Sequence, residues 1–131
     1  MRYPLIVFDS RTGNVRRFVK KLGLKSVYLR EVDKVNEKFV LVTFTDKVGE
    51  VPETTQKFLE NNGDLLIGVA SSGNRRWKNT FAIAADIISE QFNVPIISKF
   101  ELAGNIETVQ KFMERMNEIV DSGREHELLR A

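Results

Sequence analysis

At 131 residues, 42% hydrophobic and 29% charged, the chain is long enough to bury a core of its own and reads as one soluble domain spanning 1–131. Its 20 Lys and Arg stand against 18 Asp and Glu, a net charge of +2, well short of the clustered cations with which nucleic-acid-binding proteins neutralise phosphates. There is no cysteine and one histidine, His126, so disulfides, thiolate nucleophiles, cysteine-held metals, zinc and most Ser-His chemistry fall away. Any chemistry then points to a borrowed cofactor.

No apolar run approaches the length of a membrane span, and the N-terminus lacks the charged-then-apolar layout of a signal peptide, so a cytoplasmic location is expected. In chain order, the first apolar run is Leu5–Phe8, read as a strand. It is followed by a corner of short polar residues, Asp9, Ser10, Arg11, Thr12, Gly13 and Asn14. Val15, Phe18, Val19 and Leu22 then fall on one helical face, with Gly23 where a C-terminal glycine belongs. Arg16, Arg17, Lys20 and Lys21 on that helix read first as its solvated face.

A second strand is expected over Val27–Leu29 and a third over Phe39–Phe44. Only Glu31 to Lys38 lies between them, too little for a helical crossover. A parallel arrangement is still within reach. Returning past one intervening strand spans roughly 19 Å, and the 31–38 segment, extended, covers about 26 Å. A helix follows over Pro52 to Leu59, a fourth strand over Leu65–Ala70, a helix over Phe81 to Phe92 closed by Asn93-Val94-Pro95, and a fifth strand over Ile96–Leu102. Val109, Phe112, Met113, Met116 and Val120 make a last amphipathic stripe, and a charged tail over about 121–131, His126 within it, is expected to fray. Alternation of this kind indicates an α/β fold, a parallel sheet with helices on both faces.

Ligands of such sheets bind beyond the carboxyl ends of the strands, where the strand order reverses. The loops leaving strands one, three and four are SRTGN (10–14), TFTDKVGEVP (43–52) and SSGNRRWKN (71–79). In the first, the hydroxyls of Ser10 and Thr12 and the amides of Gly13, Asn14 and Val15 suit a phosphate group at a helix N-terminus. The same residues also suit an ordinary helix cap. Neither GxxxxGK[ST] nor GxGxxG is present, so a Walker or Rossmann site is unsupported.

Ser10-x-Thr12-Gly13-Asn14 after the first strand resembles the phosphate loop of flavodoxins, which bind flavin mononucleotide (FMN). Thr43-Phe44-Thr45 with Gly49 and Val51-Pro52, the run Gly68 to Arg75, Val94-Pro95, and Lys99 to Leu102 are together similar to the NrdI family, flavodoxin-like partners of class Ib ribonucleotide reductases. The similarity covers about residues 4 to 120 in unbroken order. It implies an open five-stranded parallel sheet of order 2-1-3-4-5, with a shortened connection between strands 2 and 3.

By the same resemblance, Ser10, Thr12, Gly13, Asn14 and Val15 hold the FMN phosphate. Thr43, Phe44, Thr45 and Gly49 border the reactive edge of the ring, Ser72, Gly73 and Asn74 face its pyrimidine side, and the lone tryptophan, Trp77, is placed to stack on it. The implied function is to supply an oxygen-derived oxidant, superoxide or peroxide, from reduced flavin. That oxidant serves assembly of the dimanganese-tyrosyl radical cofactor of the reductase small subunit, with a flavin-reducing protein as electron donor. The chain departs from the family pattern at Asp46, Lys47 and Val48, where glycine is more usual, at Arg76, and at Ala103-Gly104-Asn105. The alternative is a general flavodoxin-type electron carrier, which its lack of net negative charge disfavours. A cofactor-free receiver-like domain would want more acids after the first strand than Asp9.

Overall fold

Leu5 and Val7 point to one side of the first strand and Ile6 and Phe8 to the other, and all four are buried. A strand buried on both faces belongs inside a sheet covered twice. The computed structural model describes residues 3–47 and 49–130, with side chains described as far as residue 122. Its elements run β1 (Leu5–Phe8), α1 (Asn14–Leu22), β2 (Ser26–Tyr28), β3 (Phe39–Phe44), α2 (Glu53–Asn62), β4 (Leu66–Gly73), α3 (Ala84–Phe92), β5 (Ile96–Glu101) and α4 (Ile106–Arg130). The sheet has the order β2-β1-β3-β4-β5, every pairing is parallel, and the fold is flavodoxin-like, as expected from the sequence.

The period of two along each strand divides the core. Leu5, Val7, Phe39 and Leu41 pack with Phe58 and Leu59 of α2 and Ala84, Ala85 and Ile88 of α3. On the opposite face Ile6, Phe8, Val40 and Val42 meet the stripe Val15, Phe18, Val19, Leu22 of α1 and Phe112 and Met116 of α4. Phe18 is the pivot of that layer. It stacks on Phe100 with centroids 4.1 Å apart and meets Phe112 edge-on at 5.4 Å.

The helix-free crossover from β2 to β3 opens with a 3-10 turn, Leu29–Glu31, so Leu29 leaves the strand expected to contain it. The rest of the segment is held by a side chain far away in sequence. Asn62, 2% exposed at the end of α2, accepts a bond from the Val35 amide at 2.9 Å and donates to the carbonyls of Asp33 at 3.1 Å and Phe58 at 3.0 Å. One amide thereby satisfies backbone groups that a helix would have paired internally.

Other boundaries differ from expectation: α2 runs on past Leu59 to Asn62, and β5 stops at Glu101, one residue short of Leu102. β4 continues past Ala70 through Ser71, Ser72 and Gly73, which pair with β3 or β5. α3 starts at Ala84, not Phe81, because Ala82 sits at φ 49 and no right-handed helix passes through that angle. The backbone of α4 is helical to Arg130; the expected frayed tail over 121–131, with His126, falls largely outside the side chains described. Among the described residues no helix is long and apolar enough to cross a membrane.

Candidate functional site

The carboxyl ends of β1, β3 and β4 open into a cleft of about 290 Å³. It lies where the order turns from β1-β2 to β1-β3, the point at which neighbouring connections leave a parallel sheet in opposite directions.

The first wall begins at a fully buried carboxylate. Asp9 accepts from Arg30 Nε at 2.8 Å, from Thr55 Oγ1 at 2.8 Å and from Thr54 Oγ1, while its amide donates to the Val42 carbonyl at 3.0 Å. The hydrogen bond to Asp9, with the charge of that acid, raises the Arg30 guanidinium above its ordinary value against the opposing effect of burial. Tyr28 Oη donates to the Ser10 carbonyl at 2.8 Å. The chain is thus clamped immediately before it turns. Asp9 is anchorage and does not face the cleft.

From there Gly13 caps α1 at φ 94, with no side-chain hydrogen bond to the cap. In the loop and first turn, among the described residues, only the Arg16 amide finds a side-chain oxygen, Ser10 Oγ at 3.3 Å. The leading amides of a helix carry partial positive charge, and those ahead of Arg16 are left available to an anion. The sequence left a cap and an anion cradle both open. Gly13, not Ser10 or Thr12, holds the N-cap position, while the Ser10 hydroxyl still caps one amide of the first turn, that of Arg16. The glycine is required by its left-handed φ, since a Cβ there would meet only the flexible tip of Arg17, at 2.9 Å.

The second wall is the end of β3. Phe44 and Thr45 line the cleft, and Thr45 Oγ1 accepts the Ala84 amide at 3.2 Å. Asp46 and Glu50 then pair in a short antiparallel bridge. The third wall comes from β4 and the loop after it. Ser72 Oγ donates to the Leu102 carbonyl at 2.6 Å, and the Leu102 amide donates back to Gly73 O at 3.1 Å. Asn74 accepts the amides of Arg76 and Trp77, which curls the loop and leaves the Trp77 ring 46% exposed at the cleft.

Three non-glycine residues with left-handed backbones, Lys47 (φ 48), Ala82 (φ 49) and Leu102 (φ 53), all line this cleft. Each such residue costs about 1–2 kcal/mol, a strain that concentrates where structure serves binding.

Of the residues read from the sequence, the cleft gathers Ser10, Thr12, Asn14 and Val15 from the first loop, Phe44 and Thr45 from the second, and Ser72, Gly73, Asn74 and Trp77 from the third. It does not gather Thr43, whose hydroxyl is fully buried against Thr55 Oγ1 at 2.8 Å, on the α2 side. Nor does it gather Gly13, which lies between the lining residues Thr12 and Asn14, or Gly49, which packs toward Thr80 and Ile83. The sequence reading missed Arg11, Lys47, Thr80, Ala82 and Leu102 as lining residues. Arg11 stood inside a quoted motif, and Ala82 was hidden in an apparently helical run. The basic run on α1 is exposed, as a solvated face should be, and two of its members also make contacts. Arg16 stacks over Tyr28 at 4.6 Å, and Lys21 donates to the carbonyls of Ala103 and Gly104.

A family model described as NrdI flavodoxin-like matches residues 6–114. The chain belongs to that family. It is 48% identical over 116 residues to Protein NrdI of Bacillus licheniformis, covering 88% of each chain. It is 40% identical over 116 residues to Protein NrdI of Macrococcus caseolyticus, covering 88% of this chain and 90% of that one. In three dimensions it superposes on a flavodoxin of Streptococcus pneumonia TIGR4 with a TM-score of 0.64 at 23% identity, covering 91% of this chain and 98% of the other. At that identity the likeness speaks for the fold alone. Within the NrdI flavodoxin-like family, then, this chain builds its switch-point cleft with a glycine-opened helix terminus on one side and an exposed tryptophan on another.

Proposed function

We propose that the cleft binds FMN and that the chain works in the cytoplasm as an NrdI flavoprotein, serving the small subunit of a class Ib ribonucleotide reductase. The observation that carries the reading is the first turn of α1 at the sheet's switch point, opened by Gly13 at φ 94, where Ser10 Oγ takes the Arg16 amide and no side chain takes those of Asn14 and Val15 among the described residues. Its amides, with the Thr12 hydroxyl, suit a phosphate dianion. Phe44, Trp77 and Leu102 offer apolar surface for a planar ring, and the backbone around Thr45, Gly73 and Asn74 offers polar groups for its edges. The residues fit the group.

FMN supplies, when bound, one- and two-electron chemistry, including the reaction of its reduced form with oxygen. The chain contributes position and environment. The Asp9 clamp fixes the loop that holds the phosphate, and the Ser72–Leu102 and Gly73–Leu102 bonds fix the far wall. No side chain need act as acid or base. A flavin-reducing protein would provide the electrons, and the oxygen-derived oxidant would pass to the small subunit for assembly of its dimanganese-tyrosyl radical cofactor. The family membership supports this assignment over that of a general electron carrier.

The test is to reduce the FMN-loaded chain without oxygen, mix it with a manganese-loaded class Ib small subunit, admit oxygen, and record the tyrosyl radical by electron paramagnetic resonance. Radical formation that depends on the chain is expected. Equal yields with free reduced FMN would overturn the assignment.

A further inference from the structure

Two loops on different walls of the cleft are joined by one ion pair. Arg11 follows β1 and Asp46 follows β3, 35 positions away, and Arg11 Nη1 donates to Asp46 Oδ1 at 2.7 Å. The same Oδ1 accepts the Lys47 amide at 3.0 Å, so two donors fix the carboxylate. The main chain of Asp46 is fixed too: its amide donates to Glu50 O at 2.7 Å, and its carbonyl accepts from Glu50 at 2.9 Å and Gly49 at 3.1 Å. On the way to this acid the guanidinium passes over the Phe44 ring, 5.1 Å from its centroid. The Asp46 side chain is 20% exposed against 56% for Arg11, so the acid half is sheltered. Burial alone pushes the Asp46 carboxyl up; the hydrogen bonds from Arg11 and Lys47 and their two charges outweigh it and hold the group below its ordinary value.

We infer that Arg11 and Asp46 form a clasp tying the anion-binding loop to the loop after β3, and that this clasp sets how long a flavin stays in the cleft. The inference rests on the FMN reading above. Arg11 is here a positioning residue: its guanidinium is committed to Asp46 and Phe44, and its effect on the ligand passes through the loop it holds. A cation beside a phosphate cradle has an obvious other role, direct pairing with the phosphate, and the two roles differ in what they do to a flavin without one.

The experiment measures dissociation rates of FMN and of riboflavin, which lacks the phosphate, from the full chain at low and high salt. The proteins are wild type, Arg11→Gln, Asp46→Asn and the double exchange Arg11→Asp with Asp46→Arg. Each single variant should speed release of both flavins by about two- to five-fold, the range of a partly exposed ion pair. The exchange should recover most of the loss, and high salt should narrow the gap to wild type. If Arg11→Gln speeds release of FMN alone while Asp46→Asn slows it, Arg11 serves the phosphate and the clasp is refuted. Unchanged rates in both single variants refute it as well. A wild-type chain that binds neither flavin overturns the FMN reading itself, and the clasp with it.

Discussion

Gly73 and Ala82 meet backbone to backbone: a Cβ on Gly73 would lie 2.5 Å from the Ala82 amide nitrogen and 2.9 Å from its Cα. The contact is locked from two positions earlier in β4, where Ser71 Oγ donates to the Ala82 carbonyl at 2.5 Å and accepts the Ala85 amide at 3.1 Å. The loop between β4 and α3 is thereby pressed onto the end of the strand, and the third wall of the cleft takes its shape from that pressure.

Gly73→Ala should therefore force the loop outward. Overpacking against backbone costs about 1–3 kcal/mol, read as a lower midpoint in urea unfolding, and flavin affinity should fall with it. Full stability and full affinity in the variant would mean the approach is looser than the structure has it.

Asn62 gives the complementary case, a residue that matters for folding and not for the ligand. Removing its amide costs the Val35 amide and the Asp33 carbonyl, neither fully buried, their partner, and each hydrogen bond contributes a net of about 0.5–1.5 kcal/mol. Asn62→Ala should lose stability of that order in chemical denaturation while its FMN affinity stays at the wild-type value. An unaffected midpoint would assign the crossover to its apolar anchors Leu29, Val32 and Val35.

The contrast between these residues explains what the sequence disclosed. Strands such as Leu5–Phe8 and Phe39–Phe44 were legible because burial on both faces demands an unbroken apolar run. Ser71, Ser72 and Gly73 gave no such signal, since their hydroxyls and missing side chain answer to Ala82 and Leu102, residues that only the fold brings near. Phe81 to Ile83 read as helix because composition does not record the sign of φ at Ala82. Thr43 was misread for a related reason: motif position gave the strand end, but the alternation of side chains sends this hydroxyl to Thr55. The Asp9 clamp joins residues 21, 45 and 46 positions apart. Local pattern carries no trace of it.

Gly13 separates backbone strain from ligand clearance. At φ 94 a side chain is disfavoured by about 1–2 kcal/mol whatever the space. Gly13→Ala should lose stability of that size, and Gly13→Asn less, because asparagine tolerates the left-handed region better. Equal stability of all three proteins in urea would show that the loop relaxes to negative φ.

Trp77 is the chain's one tryptophan and lines the cleft while 46% exposed. Saturation with FMN should quench its fluorescence strongly and move the residual emission to the blue as solvent leaves the ring. Unchanged emission at saturation would take Trp77 out of the binding surface.

The glycine-opened start of α1 is the feature on which the functional reading stands, and equilibrium dialysis of the purified chain against FMN and riboflavin tests it most directly. One FMN bound per chain is expected, with riboflavin held at least tenfold more weakly, on the order of the 1.4 kcal/mol or more that a charge-assisted set of amide bonds to the phosphate contributes. No FMN binding, or equal affinity for the two flavins, would contradict it.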